Sequence, residues 1–352
     1  MRIGKSASQV ETASHVVIEI TDLADINEAQ SVSIDLARLV AVDDSVAERA
    51  AFIASEAAAN ILRHAGAGRL LMRVTREASP AVEIIATDRG PGIAHLSAAM
   101  HGGYSTSGDS GMGLCAMSRA ANLFDIYSRF GQGTALMAQV WARRSEYYAA
   151  RDYARPRIKS GVVSTAKPES KAGILTISDA WAAKHQPSRS LVMLANGLGQ
   201  GAEAARAASE AAKVIDRIHA LSPAEIIEIV HEALNGTRGA SVAVAEIRLL
   251  GAEPEVRFAG VGNIAARVVD GGKIRHLTSV NGIAGYEAEI RQFTYAWPAQ
   301  ATLVMHSDGV LAQWDATDYP GLLASHPTLI AAVLHRDFNC ALDDATVIVA
   351  KH

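Results

Sequence analysis

Between residues 143 and 156 the chain reads RRSEYYAARDYARP, charged and aromatic residues with no apolar face, while on either side of it apolar residues recur in regular helix and strand patterns. A stretch that cannot contribute to a core, set inside a chain of 352 residues, requires two cores rather than one. It reads as a linker. The expected organisation is a first domain over 1–142 and a second over 157–352, and the two flanks are not repeats of each other.

Both flanks have globular composition, since 49% of the residues are hydrophobic and 20% charged. No window approaches the ~20 apolar residues needed to span a bilayer, and the N-terminus lacks the apolar segment of a signal peptide. The 33 Lys and Arg are scattered against 37 Asp and Glu, for a formal net charge of −4. That leaves no basic field for nucleic acid or an anionic membrane. Cys115 and Cys340 stand too far apart in sequence for a CxxC metal knuckle or a disulfide framework, so reducing cytoplasm is the expected compartment.

In the first flank the patterns run strand (from His15), helix (Asn27 to Leu39), helix (Ser45 to His64) and strands over Arg69–Thr75 and Ala81–Asp88. A glycine-rich stretch to Gly113 follows, then a helix from Leu114 to Asn122 and strands over Phe124–Ser128 and Thr134–Val140. Helices first and then a mostly antiparallel sheet make an α+β layered domain. The second flank offers strands in IKSGVVST, GILTISDAW and SLVMLANG, helices over Ala202–Leu221 and Pro223–Leu234, and strands in SVAVAEIRLL, EVRFAGVGN, IAARVVDGG, ATLVMHSDG and ATVIVAKH. Many strands with one helical pair predict a β-sandwich covered by helices.

Three motifs in the first domain stand on the elements their chemistry requires. Glu56 and Asn60, at i and i+4, share one helix face, where a carboxylate and a carboxamide can orient a hydroxyl and offer an oxygen to Mg²⁺. Taken alone, ExxxN equally describes a solvated helix face. Asp88-Arg-Gly-Pro-Gly92 ends a strand; its acid can accept from an exocyclic amine, and Gly90 and Gly92 allow a planar base to approach the backbone. The run GGYSTSGDSGMGL, from Gly102 to Leu114, opens a helix whose first N–H groups suit phosphate. GQGT, ending at Thr134, closes the set before a strand.

ExxxN, DRGPGI, GYSTSG, GMGL and GQGT in this order resemble the GHKL (Bergerat) nucleotide-binding fold, and closely the RsbT-type switch kinases of bacterial stress signalling, over about residues 12–142. The resemblance implies ATP and Mg²⁺ as cofactors, with Glu56 as the catalytic base and Asn60 on the metal. Asp88 would read adenine, and Gly90, Gly92, Ser105, Thr106, Gly111, Gly113 and Thr134 would line the nucleotide. It further implies a STAS-domain protein, RsbS-like or RsbR-like, as the substrate phosphorylated on Ser or Thr. All these residues precede Trp141, so the first domain alone is expected to bind ATP. Asp109 departs from the pattern by placing an acid beside the expected triphosphate, where like charges repel unless a cation intervenes.

The second domain carries acids at strand ends: Asp179, Asp308 and the pair Asp343-Asp344. Separately these are turn acids; together they can be oxygen ligands of hard cations, two of which can activate water for attack on a phosphoryl group. SDAW, NGLGQG before a helix, AGVGNI, HSDGV and DDAT resemble the SpoIIE-like metal-dependent serine/threonine phosphatases, specifically the small RsbX type, over about residues 157–352. The resemblance implies an αββα sandwich with Mn²⁺ or Mg²⁺ held by Asp179, the residue at position 196, the Gly197 carbonyl, Asp308 and Asp343. The family reads DGLGHG where this chain has Asn196 and Gln200. A carboxamide brings one neutral oxygen and a cation-repelling NH₂ in place of a bridging negative charge, so an attenuated phosphatase is expected.

The leading expectation is a kinase joined to a phosphatase-like domain, both acting on one STAS-domain partner, with the tether supplying a high effective concentration. A non-catalytic ATP-gated regulator with a degenerate phosphatase scaffold is the alternative. A direct action on a sigma factor differs from these only in its partner.

Overall fold

The computed structural model describes residues 8–11, 14–41, 43–75, 80–101, 112–142, 158–168, 176–218, 220–251 and 253–352. The linker expected over 143–156 lies outside them. Seven helices are described: α1 (Leu23–Val40), α2 (Asp44–Ala65), α3 (Leu96–His101), α4 (Gly113–Ala120), α5 (Ala202–Arg217), α6 (Pro223–Ala233) and α7 (Pro327–Phe338). Among the described residues no helix is long and apolar enough to cross a membrane.

The chain divides into two compact units whose membership does not follow sequence order strictly. One takes its described residues from within His15–Ala149 and from Ala324–Arg336; the other takes them from Met1–Ser14, Ala150–Leu323 and Asp337–His352.

The first unit is built on an antiparallel sheet in the order Val16–Ile20, Gly68–Thr75, Ala81–Asp88, Thr134–Trp141, Leu123–Ser128. Helix α1 starts where Asp22 accepts from the N–H groups of Ala24 and Asp25 in a capping box, and α2 starts at Asp43, which accepts from Ser45. Small residues of these helices (Ala29, Ala37, Ala50, Ala54, Ala57, Ala58) pack with Ile53 and Ile61 against Ile18, Leu70, Met72, Ile84 and Leu136. Side chains alternate across a strand, so Arg73 and Glu83 belong to the opposite face. Yet seven of the eight residues of Ala81–Asp88 are buried, because that face is covered too. There Arg73 Nε donates to Glu83 Oε1 at 2.7 Å, Gln139 Nε2 donates to Glu83 Oε2 at 2.9 Å, and Thr328 of α7 donates to the same Oε2 at 3.4 Å. Burial alone would raise the Glu83 carboxyl; Arg73 and His15 outweigh it and hold the group well below its ordinary range.

The second unit is a sandwich. Its six-stranded sheet runs Ser8–Glu11, Asp179–His185, Arg189–Gly197, Ala240–Arg248, Glu255–Val261, Gln292–Ala296, and its five-stranded sheet runs Lys273–Leu277, Ala265–Asp270, Thr302–His306, Ala345–Lys351, Lys159–Thr165. Trp181, Val192, Leu194, Ala243 and Phe258 of the first meet Leu303, Met305, Ile348 and Val162 of the second. On the outer face of the six-stranded sheet, an alanine stripe on α5 (Ala207, Ala208, Ala211, Ala212) and Ile226, Ile227 and Val230 of α6 complete a separate core. Ser222 and Glu225 form the capping box that starts α6, with Pro223 at its first position.

Three features go unread in the sequence. Helix α7 is buried from Pro327 through His335 and so shows no polar face to mark a helical period. The strands Lys273–Leu277 and Gln292–Ala296 alternate weakly. Ser8–Glu11, antiparallel to Asp179–His185, lies 168 residues or more from its partner in sequence, a pairing no local pattern announces.

Candidate functional site

Glu56 and Asn60 lie one turn apart on α2, both partly exposed. Gly113, the first residue of α4, sits against them: a Cβ placed on it would stand 2.9 Å from Glu56 Oε2 and 3.8 Å from Asn60 Nδ2. Arg49, two turns earlier on α2, holds the far end of α4 by donating from Nη1 to the Ala120 carbonyl at 3.1 Å and to Asn122 Oδ1 at 2.9 Å. One helix therefore carries both polar side chains and holds a second helix whose first turn opens beside them.

Asp88 ends its strand partly buried, and its Oδ1 accepts from the backbone of Gly90 at 2.8 Å and of Thr134 at 3.2 Å. With Oδ1 so engaged, Oδ2 is the oxygen suited to accept from an exocyclic amine. Burial raises the Asp88 carboxyl, while those two N–H groups, Arg336 and His64 act against the rise. The Thr134 and Ser128 hydroxyls are 2.8 Å apart, and Ser128 Oγ accepts from Ile93 N at 2.8 Å, which ties the segment after Gly92 to the edge strand Leu123–Ser128. Gly133 has φ 81°, and a Cβ there would meet the Asp88 carbonyl oxygen at 2.1 Å, so only glycine fits. The structure thus brings Glu56, Asn60 and Gly113 together as one group, and Asp88, Gly90 and Thr134 as another, within one unit. Ser105, Thr106 and Gly111, expected to line the triphosphate, lie outside the described residues.

The donor set fits ATP with Mg²⁺: an amide oxygen and a carboxylate at a helix start, and a partly buried acid backed by two N–H groups at a strand end.

In the second unit, Asp179 and Asn196 are direct partners on neighbouring antiparallel strands, and Ser307 Oγ donates to Asp179 Oδ2 at 2.7 Å. Asp179 Oδ1 is buried without a hydrogen-bond partner. Burial raises the Asp179 carboxyl to about 8; Ser307 and Thr346 oppose this, and Asp344 and Asp308 add to it. Asn196 Nδ2 donates to Asp308 Oδ1 at 2.7 Å, and Asn263 Nδ2 donates to Asp308 Oδ2 at 2.7 Å. Asp344 is buried and accepts from Lys167 N and from Ser178 N, whereas Asp343 Oδ1 accepts from Asp344 N at 2.9 Å. A Cβ at Gly197 would meet the Ala204 carbonyl of α5 at 2.0 Å, so the close seating of that helix needs glycine. Among the described residues no group of three or more His, Cys, Asp or Glu side chains is arranged to hold a metal ion. Two amides occupy both oxygens of the acid a cation would need, and the residues fit a binuclear metal centre poorly.

A family model of the histidine kinase-like ATPase domain matches residues 20–140, and one of stage II sporulation protein E matches residues 186–352. Together they define a protein in which a GHKL-type nucleotide-binding domain is joined to a sheet-rich phosphatase-like domain. The chain is 39% identical to the serine/threonine-protein kinase RsbT of Bacillus subtilis (strain 168) over 90 residues, which are 25% of this chain and 68% of RsbT. Through its nucleotide unit the chain belongs to the RsbT serine/threonine-protein kinase family. Two solved structures are also similar. One comes from work on the bacterial stressosome as a modular system adapted to control secondary messenger signalling (24% identity, 55% of this chain, 99% of that one, TM-score 0.49). The other is RsbX in complex with magnesium (19% identity, 55% of this chain, 94% of that one, TM-score 0.45).

Three residues of these sites escape sequence reasoning. Arg336 of α7 donates from Nη1 to the Asp88 carbonyl at 3.0 Å across 248 positions. Asn263 lies in the AGVGNI motif, but no local signal aims its amide at Asp308. Ser307 precedes Asp308 and, by strand alternation, turns toward Asp179 instead.

Proposed function

We propose that the nucleotide unit transfers the γ-phosphoryl group of ATP to a Ser or Thr hydroxyl of a STAS-domain partner in a cytoplasmic partner-switching pathway. The placement of Gly113 against Glu56 and Asn60, in a chain of the RsbT family, carries this reading. Glu56 accepts the proton of the attacking hydroxyl as the oxygen–phosphorus bond forms and ADP departs. Asn60 presents its side-chain oxygen to Mg²⁺, which neutralises phosphate charge. The first N–H groups of α4 face phosphate, and Asp88 accepts from the exocyclic amine of adenine.

The second unit, in the same proposal, is an attenuated phosphatase that serves mainly to recognise the same partner. The paired amides of Asn196 and Asn263 on Asp308 favour this over an active binuclear enzyme. Incubating the full chain with ATP, Mg²⁺ and the STAS-domain proteins of the source genome, followed by mass spectrometry of those proteins, tests the kinase reading. Phosphate on a partner Ser or Thr, absent with Glu56→Gln, supports it. ATP binding with no transfer to any of them favours a nucleotide-gated binding regulator, in which a sigma factor becomes the candidate partner.

A further inference from the structure

We infer that Arg336, contributed by α7 from the SpoIIE-matched part of the sequence, is a positioning residue of the nucleotide pocket that sets its selectivity for adenine. The inference rests on the nucleotide-binding reading of the first unit. It goes beyond that reading by adding a residue that follows the ATPase-matched segment, which ends at residue 140.

Arg336 and the Asp88–Arg89 step hold each other in both directions. Arg336 Nη1 donates to the Asp88 carbonyl at 3.0 Å, and the Arg89 guanidinium donates back to the Arg336 carbonyl. The first bond fixes the carbonyl of the peptide between Asp88 and Arg89, and the second ties the Arg89 side chain to α7. On the same peptide depend the direction of the Asp88 side chain and the position of Gly90 N, which holds Asp88 Oδ1.

The helix that carries Arg336 is itself anchored in this unit. His326 N donates to Asp125 Oδ2 at 2.7 Å, and Thr328 Oγ1 donates to Glu83. His335 is buried. Arg336 thus reaches, from a fixed support, the same Asp88 carbonyl oxygen against which Gly133 sits.

The guanidinium also acts on charge. An ionised carboxylate only accepts hydrogen bonds, which suits the amine of adenine and opposes the carbonyl that guanine presents at the equivalent position. Burial favours the protonated form of Asp88, and the Arg336 guanidinium, with a smaller contribution from His64, counters it. A pocket without Arg336 keeps its glycines and its helix start but holds the base-reading acid less firmly and less fully ionised.

The test is equilibrium binding of ATP and of GTP, each with Mg²⁺, to the full chain as wild type, Arg336→Ala and Arg336→Lys, with hydrogen exchange over residues 88–93 in the free proteins. Wild type is expected to prefer ATP. Arg336→Ala should weaken ATP about tenfold, the scale of a lost charge-assisted hydrogen bond, with GTP nearly unchanged and faster exchange at 88–93. Arg336→Lys, which keeps the charge, should recover part of the selectivity. Unchanged ATP affinity and selectivity in Arg336→Ala would overturn the inference. So would an equal loss for both nucleotides, which is what general destabilisation produces. If wild type binds no ATP, the nucleotide reading itself falls; that outcome is separate from a wild type that binds ATP and a variant that behaves like it.

Discussion

The Asn196 side-chain amide donates to Asp308 Oδ1 over 2.7 Å. Asn263 does the same to Oδ2, so the acid is satisfied by neutral donors. An ionised carboxylate can only accept, and both amides present their NH₂ groups to it. Asn196→Asp replaces a donor with a second acceptor at contact distance. Because Asp308 is exposed, water softens the repulsion, and in EDTA the variant should melt lower by roughly 2–4 °C. Mn²⁺ should restore or exceed the wild-type melting temperature in the variant while leaving wild type unmoved. A wild type that Mn²⁺ stabilises as strongly as the variant would show Asn196 to be a working ligand.

Gly113 and Gly133 separate catalysis from folding. An added Cβ at Gly113 comes closest to the end of the flexible Glu56 side chain, at 2.9 Å, with the Asn60 amide at ordinary contact distance. Gly113→Ala should leave the melting temperature nearly unchanged, yet lower phosphotransfer by about 10²-fold, the scale of a displaced general base. At Gly133, where φ is 81° and the neighbour is the Asp88 backbone at 2.1 Å, alanine should instead destabilise the nucleotide unit and weaken ATP binding. Thermal melting with single-turnover transfer checks both; a Gly113→Ala variant that transfers at the wild-type rate removes Glu56 from the chemistry.

Acid should unfold the nucleotide unit in two stages. Burial, with His15 and Arg69 adding to it, depresses His335 to about 3 from 6.5, so the unfolded chain takes this proton first. The stability supplied by neutral His335 is full above pH 6.5 and declines as pH falls below it. Glu83, held below its ordinary 4.5 by Arg73 and His15 against the effect of burial, contributes stability present above pH 4.5 and lost below it. Urea midpoints at pH 7.5, 5.5 and 4, followed by hydrogen exchange in Gly68–Thr75 and Ala81–Asp88, should fall stepwise. His335→Phe should remove the first stage. Glu83→Gln should remove the second and cost about 3–5 kcal/mol at neutral pH, because the buried Arg73 guanidinium loses the carboxylate charge that faces it. A midpoint that stays level from pH 7.5 to 4 would contradict both assignments.

Legibility in the sequence follows the range of the interactions. Helix α2 and the strands beside it announce themselves because capping, period and glycine turns act within a few residues, and Glu56–Asn60 spacing alone puts both groups on one face. The same holds for NGLGQG, whose glycines turn a strand into α5. Contacts that close across the chain leave no such trace. Arg336 reaches Asp88 from 248 positions away, and α7 hides because it is buried without interruption from Pro327 to His335. The Asp308 amides illustrate a further limit: Asn196 could be seen to be missing a charge, but only the fold reveals that Asn263 supplies the other donor.

In the proposed function one unit adds phosphate and the other scarcely removes it. A single time course tests this: full chain, Mg²⁺, Mn²⁺ and a STAS-domain partner with limiting ATP, then removal of residual nucleotide, with partner phosphate followed throughout. The expected result is a rise while ATP lasts, then a plateau, and no rise with Glu56→Gln. A rise followed by decay would contradict the attenuated second unit, and partner phosphate that appears at the same rate with Glu56→Gln would contradict the kinase site.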